Sequence, residues 1–189
     1  MRPQIFFMHT LRQQLRDSRN VLSVAQRKQS AKQLLAQVEQ IAHFQKGQKI
    51  ALYLANDGEI DPIYIINFLK NSGISVYLPI LDGKSLKFSE FIGKLQKNSF
   101  GIDEPVESQV LNAEQLDIIF IPLVGFDKNK NRIGMGGGFY DRTLAFTKTQ
   151  DNNPKLYGLA FDCQRVEKLD AQSWDVTLDA VITATTIYR

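Results

Sequence analysis

The sequence predicts an α/β fold with a mainly parallel sheet flanked by helices and a helical segment at the N-terminus. Apolar runs of strand length alternate with helical patterns from about residue 49 onward, and this alternation is typical of parallel sheets. The run from Leu116 to Val124 is apolar at most positions, as expected for a central strand buried on both faces. No repeat or linker interrupts the chain, so we expect a single domain spanning residues 1–189.

Two helices are predicted within the first forty-five residues. Leucines recur at helical spacing between Leu11 and Leu22, among several arginines. Ser23 and Gln26 have the spacing of a capping box, which makes Ser23 the N-cap of the second helix. That helix keeps an apolar stripe, and Gly47 is predicted to end it.

The rest of the chain predicts six strands and two helices. The strands are expected at residues 49–55, 74–81, 86–91, 116–124, 156–161 and 180–185. The third should be antiparallel or lie at an edge, and Pro122 should end the pairing of the fourth. Asp61 followed by Pro62 predicts a helix start, with a stop near Gly73, and a further helix is expected from about Phe139 to residue 147. Residues 92–115 show little periodicity and are expected to be irregular.

Composition and charge narrow the possible functions. The chain has 23 basic and 20 acidic residues, a net charge of +3, which is too weak to indicate nucleic acid but suits a small anionic ligand. The single Cys163 and the two histidines disfavour a disulfide framework, a cysteine nucleophile and a zinc site. No apolar run is long enough for a membrane span or a secretory signal. We therefore expect a cytoplasmic protein with no membrane or nucleic-acid partner.

A glycine-rich segment follows the predicted central strand. About fourteen residues separate this strand from the next predicted helix, whereas most such connections have two to six residues. Glycines at positions 134, 136, 137 and 138 can turn several backbone N–H groups toward one anion. Arg132 adds a charged planar fork, and the carboxylate of Asp141 can serve a hard cation. The segment predicts a phosphate site beside a metal ion.

Other interpretations of this segment are less favoured. A flexible linker would contain Ser and Gly without large apolar neighbours, whereas Ile133, Met135, Phe139 and Tyr140 are interleaved here. A Walker A loop requires a lysine that is missing. The dinucleotide fingerprint would require glycine at position 139. The residues alone therefore indicate a phosphate loop of another kind.

The same segment also carries a resemblance to a known family. It reads Gly125-Phe126-Asp127-Lys128, then Asn131-Arg132, then Gly134-Met135-Gly136-Gly137-Gly138-Phe139-Tyr140-Asp141. This ordered run resembles the signature of the 5-formyltetrahydrofolate cyclo-ligase family. Further matching islands lie at Leu11-Arg12, Asp57-Gly58-Glu59-Ile60, Gly158 to Phe161 with Gln164, and Asp175 with Asp179. The resemblance thus extends over the whole chain.

The resemblance implies an ATP- and Mg²⁺-dependent enzyme that converts 5-formyltetrahydrofolate to 5,10-methenyltetrahydrofolate, with release of ADP and phosphate. The formyl oxygen would attack the γ-phosphate of ATP to give an iminophosphate, and ring closure would then expel phosphate. The family pattern further implies a folate and ATP as small-molecule partners. A monomer is expected.

Site residues are implied by the same resemblance. It assigns catalytic roles to Arg132 and Tyr140 and magnesium ligation to Asp141 and Asp175. ATP binding is assigned to Arg12, Arg132, Gly134, Met135, Gly136, Gly137, Gly138, Phe139 and Tyr140. Folate binding is assigned to Leu54, Glu59, Phe139 and Tyr140. One departure is Met8, which stands where the family usually has a lysine.

Two alternatives remain at this stage. The loop would also suit a non-catalytic module that binds a nucleotide or a folate. It would equally suit a related α/β enzyme acting on a sugar phosphate or a coenzyme A thioester. The remaining arginines of the first helix, Arg16 and Arg19, are expected to form a solvated face.

Overall fold

The elements of the fold are four α-helices and twelve strands within residues 3–106 and 108–189, which the computed structural model describes. The helices are α1 (Pro3–Asn20), α2 (Val24–Ile41), α3 (Ile63–Asn71) and α4 (Phe139–Thr143). The strands are β1 (Lys49–Ala51), β2 (Ser75–Asp82), β3 (Ser85–Glu90), β4 (Leu95–Lys97), β5 (Asp103–Pro105), β6 (Val110–Leu111), β7 (Ile118–Pro122), β8 (Gly125–Phe126), β9 (Arg132–Ile133), β10 (Lys155–Leu159), β11 (Ala180–Ile182) and β12 (Ile187–Tyr188). Short 3-10 helices lie at Ala113–Gln115, Ala145–Lys148 and Asp162–Gln164.

Eight of these strands form one mixed sheet in the order β12-β11-β10-β7-β1-β2-β3-β6. The strands from β11 to β2 pair in parallel. At the two edges, β12 pairs antiparallel with β11, and β3 pairs antiparallel with both β2 and β6. The predicted α/β class with a mainly parallel sheet is confirmed, as is the antiparallel character of the third predicted strand.

Strand β7 lies between β1 and β10 and divides the core into two layers. Ile118 and Phe120 pack in the layer that α2 and α3 cover. Ile119 and Ile121 point to the opposite layer, which connecting segments and 3-10 turns cover. Because successive side chains of a strand alternate between faces, an unbroken apolar run is the pattern that two apolar layers require. Pro122 ends the strand opposite Leu159, as predicted.

The helix boundaries follow local chemistry. The predicted capping box is present, since the Gln26 N–H donates to Ser23 Oγ (3.2 Å) and the Ser23 N–H donates to Gln26 Oε1 (2.8 Å). Helix α2 stops at Ile41, so the predicted stop at Gly47 is wrong. Gly47 instead takes a positive φ of 93° in the turn before β1. Gly73 follows α3 with a φ of 70°, as a helix-ending glycine does.

Several short elements were not predicted. Residues 92–115 contain the β4–β5 hairpin and β6 rather than only irregular chain. The side chains of β4 are all exposed, so no alternation of apolar residues marks that strand. Strand β1 is shorter than expected: Leu52 still donates its N–H to the Tyr77 carbonyl oxygen at 2.9 Å, and the residues after it form the loop that leads to α3. The predicted helix at 139–147 is a short α4 that continues as a 3-10 turn.

Helix α1 packs beside the carboxyl end of β7. Leu15 is buried in a small cluster with Val124, Ile133 and Leu169. Among the described residues, no helix is both long and apolar enough to cross a membrane.

We expect Val38→Ala to lower the free energy of unfolding by about 1–3 kcal/mol, because its side chain is fully buried beneath the sheet. Val24→Ala is the matched control: the same atoms are removed from the same helix, but Val24 is 84% exposed, so a change within about 0.5 kcal/mol is expected. Urea unfolding followed by circular dichroism measures both. Equal losses in the two variants would contradict the packing of α2 against the sheet.

Candidate functional site

A large cleft of about 1260 Å³ opens at the carboxyl ends of the central parallel strands. Its floor includes Tyr53 and Leu54, which follow β1, and Pro122 to Val124 at the end of β7. Its walls come from α1, the β4–β5 hairpin, the glycine-rich segment and residues 168–175. Ligands of open α/β sheets bind at this edge, so the cleft is the candidate site.

All the site residues predicted from the sequence line this cleft. They are Arg12, Leu54, Glu59, Arg132, Gly134, Met135, Gly136, Gly137, Gly138, Phe139, Tyr140, Asp141 and Asp175. Met8, the departure from the family pattern, lines it too. Residues separated by more than 160 positions in the chain therefore share one cavity.

The glycine segment, residues 134–138, forms an exposed loop between β9 and α4. Gly136 and Gly138 have φ values of 98° and 66°, a region that side-chain-bearing residues rarely adopt. Gly138 is the N-cap of α4. Because α4 has only five residues, its macrodipole is small, and the anion-binding capacity of the loop rests on individual backbone N–H groups.

Two arginines contact this loop at its two ends. Arg12 of α1 donates from Nε to the carbonyl oxygen of Gly134 at 3.0 Å. Arg142 of α4 donates to the carbonyl oxygens of Gly137 and Lys84. The role of Arg142 was not predicted. Its position five residues after a glycine, within a short helix, gave no distinctive signal in the sequence.

Arg132 is paired with Asp141. Its Nη1 and Nη2 atoms donate to Asp141 Oδ1 at 2.9 and 2.8 Å, and Nη1 also donates to the carbonyl oxygen of Val176 at 3.1 Å. The Arg132 side chain is only 5% exposed. In this structure the guanidinium therefore neutralises and orients a carboxylate, a contact that the sequence did not predict.

The carboxylates of Asp141 and Asp175 approach the cleft from different parts of the chain. The N–H of Val176, the residue after Asp175, donates to Asp141 Oδ1 at 3.3 Å. Asp175 Oδ2 in turn accepts the Gln172 N–H at 2.8 Å. Within the described part of the chain, no group of three or more His, Cys, Asp or Glu side chains forms a metal cage. Two carboxylates suit Mg²⁺, which usually takes one or two protein ligands and completes its shell with phosphates and water.

Glu59 lines the same cleft and lies close enough to Tyr140 for its charge to affect that phenol. Burial raises the pKa of Glu59 to about 7, and a hydrogen bond from the Asn56 N–H (3.0 Å) partly opposes this rise. Burial and the Glu59 charge raise the pKa of Tyr140, and Arg132 lowers it. Tyr140 is therefore a neutral hydroxyl donor at physiological pH. A half-buried carboxylate near a half-buried phenol suits a ligand with N–H and carbonyl groups.

The cleft also offers an aromatic edge. The rings of Phe100 and Phe139 meet edge-on with centroids 6.1 Å apart, and the Arg142 guanidinium lies 5.4 Å from the Phe139 centroid. Phe100 is 64% exposed and belongs to the β4–β5 connection, which the sequence predicted to be irregular. An exposed phenylalanine that lines a cleft favours contact with a planar ligand.

Comparison with known proteins supplies the family context. The model of the 5-formyltetrahydrofolate cyclo-ligase family matches residues 8–184. The chain is 38% identical to the 5-formyltetrahydrofolate cyclo-ligase of Haemophilus influenzae, over 89% of this chain and 92% of that protein. It is 35% identical to the enzyme of the same name from Escherichia coli, over 93% and 99%. The NMR structure of Aquifex aeolicus 5,10-methenyltetrahydrofolate synthetase superimposes with a TM-score of 0.82 at 28% identity, covering 96% of this chain and 92% of that one.

The raised pKa of Glu59 predicts a pH-dependent stability. Between pH 4.5, the ordinary value, and about 7, the folded protein keeps a proton that the unfolded chain has released. The contribution of Glu59 to stability is therefore present at low pH and lost as the pH rises through 7. Relative to Glu59→Gln, which cannot titrate, the wild type should lose up to roughly 3 kcal/mol of unfolding free energy over this range.

Urea unfolding at several pH values between about 4 and 8 measures this difference. Glu39→Gln, which removes an exposed carboxyl from α2, is the control. If the gap between wild type and Glu59→Gln stays constant with pH, Glu59 is not buried as described.

Proposed function

The chain belongs to the 5-formyltetrahydrofolate cyclo-ligase family and is a ligase, and from this premise we propose that it closes the ring of 5-formyltetrahydrofolate by using ATP and Mg²⁺. The products are 5,10-methenyltetrahydrofolate, ADP and phosphate. The observation that carries the proposal is the shared cleft. The glycine loop, Asp141, Asp175 and Glu59 all line one cavity. A reaction between a folate and a nucleotide requires that both ligands meet.

The folate occupies the wall formed by Leu54 and Glu59. Glu59, with a pKa of about 7, ionises near neutral pH and in its charged form accepts hydrogen bonds from the N–H edge of the pterin. Leu54 packs against the face of the pterin. On the other side, Phe139 and Tyr140 contact the substrate. Because Tyr140 is half-buried and protonated, its hydroxyl can donate a hydrogen bond to the reacting part of the folate.

ATP occupies the glycine loop, with its phosphates held by backbone N–H groups and by Arg12. The positive φ values of Gly136 and Gly138 support this assignment, since such turns expose consecutive N–H groups. Arg12 already touches the loop through Gly134, so its guanidinium lies beside the place where phosphates bind.

Asp141 and Asp175 are the residues that would hold Mg²⁺. Asp141 Oδ1 accepts hydrogen bonds from Arg132 and Val176, which fixes the carboxylate in orientation and leaves Oδ2 as the donor atom for a cation. When bound, the ion neutralises charge on the phosphates. Arg132 acts by holding this carboxylate in place.

The reaction asks the chain for positioning and for charge balance. The formyl oxygen attacks the γ-phosphorus, the bond to ADP breaks, and an iminophosphate forms. The anilino nitrogen then attacks the formyl carbon, loses its proton, and the C–O bond breaks as phosphate leaves. Phosphate is a far better leaving group than hydroxide, which explains the need for ATP. Holding both ligands in one cleft supplies the orientation.

We further propose that the protein is a single-domain monomer and that it acts in the cytoplasm. The absence of a membrane-spanning helix among the described residues is compatible with this location. The cleft is lined by one chain, so one copy carries a full set of proposed ligands.

We expect purified protein to generate the near-ultraviolet absorption band of the methenyl product from 5-formyltetrahydrofolate only when both ATP and Mg²⁺ are present. Asp141→Asn should lower the rate by at least about 100-fold, because it removes a charge that faces the metal. The measurement is continuous spectrophotometry with parallel detection of ADP.

Asp151→Asn is the matched control, since Asp151 is exposed and lies outside the cleft lining. Its rate should equal that of the wild type. Saturable binding of both ligands without ADP release would instead favour the non-catalytic binding module. Wild-type turnover in Asp141→Asn would refute the metal role.

A further inference from the structure

Three arginines of helix α1 contact other parts of the protein, and Arg19 is buried while Arg12 and Arg16 are partly exposed. Arg12, Arg16 and Arg19 recur at intervals of four and three residues, which places them on one stripe of the helix. The sequence predicted a solvated face for Arg16 and Arg19, and this prediction is wrong for Arg19. Arg19 is fully buried and the Arg16 side chain is only 34% exposed.

Arg16 and Arg19 both bind Asp57, in the loop between β1 and α3. Arg16 forms a two-pronged contact, with Nε to Oδ2 at 2.7 Å and Nη2 to Oδ1 at 3.0 Å. Arg19 donates from Nη2 to Asp57 Oδ2 at 2.9 Å, and from Nε and Nη2 to the Asp57 carbonyl oxygen at 3.0 and 2.7 Å. These arginines lower the pKa of the Asp57 carboxyl, chiefly through the hydrogen bond from Arg16, so the pair stays charged.

The same helix reaches the other walls of the cleft. Arg19 Nη1 donates to the carbonyl oxygen of Leu123, at the end of β7, at 3.2 Å. Arg12 Nε donates to Gly134 in the phosphate loop. One rigid helix therefore connects the Asp57 loop, the floor of the cleft and the glycine loop.

The loop that Asp57 belongs to is conformationally demanding. Asp57 has a φ of 51°, a left-handed conformation that costs a non-glycine residue about 1 kcal/mol or more and persists only when its surroundings enforce it. A Cβ atom on Gly58 would lie 2.2 Å from Asn20 Oδ1, so the loop rests directly on the end of α1. Glu59 follows immediately, and its carboxylate accepts the N–H of Asn56 in the same loop.

We propose that Arg16 and Arg19, acting through Asp57, are positioning residues that fix the Glu59 carboxylate relative to the phosphate loop and thereby set the affinity for the folate. This inference rests on the proposed function. Arg19 carries the larger share, because it is buried and also binds the floor of the cleft. A displacement of about 1 Å in a group that positions the substrate can lower the reaction rate by about 100-fold.

The test uses Asp57→Asn, which keeps the size of the side chain but removes the charge that both arginines bind. Asp82→Asn is the matched control: it breaks a surface ion pair with Lys87 (3.2 Å) outside the cleft lining. We expect Asp57→Asn to raise the dissociation constant for 5-formyltetrahydrofolate, measured by calorimetry without ATP, by about 10- to 100-fold. The KM for ATP should stay within about 2-fold in both variants, while the KM for the folate rises only in Asp57→Asn.

Arg19→Lys and Arg16→Lys provide a second measurement. Both variants keep the positive charge but lose the planar guanidinium that makes two-pronged contacts. Because Arg19 is buried, Arg19→Lys should show the larger loss of folate affinity. Thermal unfolding by circular dichroism reports stability separately. A lower melting temperature with unchanged folate affinity would make the network merely structural and overturn the proposal, as would equal rises in both KM values.

Failure of the proposed reaction gives a different result. One result separates the two proposals: the wild type binds the folate, Asp57→Asn binds it more weakly, and neither protein makes product. In that case the positioning role stands and the proposed reaction is wrong. If the wild type is active and all three variants match it in both KM values, the reaction stands and the positioning role is wrong. No folate binding by the wild type would overturn both.

Discussion

The site depends on one constraint: the backbone carbonyl groups of Leu123 and Val124, just beyond strand β7, need hydrogen-bond donors. Leu123 and Val124 are buried, yet the chain has left the main sheet there, and an unpaired buried carbonyl costs about 1–3 kcal/mol. Gln164 donates to both oxygens, at 2.6 and 2.9 Å, and Arg19 donates to the first. Satisfying these two oxygens therefore draws helix α1 and the turn after β10 to the mouth of the sheet.

A second buried acceptor, Asp127, extends this framework to the segments that carry the proposed metal ligands. Asp127 is fully buried and accepts hydrogen bonds from the N–H groups of Asn129 and Asn131, the Asn131 side chain and the N–H of Leu169. The first three contacts shape the β8–β9 hairpin, whose second strand begins at Arg132. The fourth fastens the segment that leads to Asp175. The elements that flank the proposed metal ligands are thus organised around one carboxylate.

Much of the fold could be predicted because its core follows simple periodicity. The run at Ile118–Pro122 is apolar on both faces, and the capping box at Ser23 is a local signal. The exposed β4–β5 hairpin, which supplies Phe100 to the cleft, has no such pattern. The contacts of Arg19 were also beyond reach, since they join residues 38 and 104 positions apart, and spacing alone cannot separate a buried stripe of arginines from a solvated one. The family pattern identified the cleft-lining residues but not these connections.

The charge balance of the cleft explains why its loop is rich in glycine. Arg132 lies just before the loop in the sequence, but its guanidinium is bound to Asp141 and almost buried. Under the proposed function, the Nη1 and Nη2 contacts of Arg132 hold the proposed metal ligand, so part of its charge is already balanced by Asp141. The negative charge then falls to backbone N–H groups, to Arg12 and to the cation. Side chains at Gly136 and Gly138 would strain a backbone at positive φ, so at these two positions the turn that exposes N–H groups also disfavours a charged side chain.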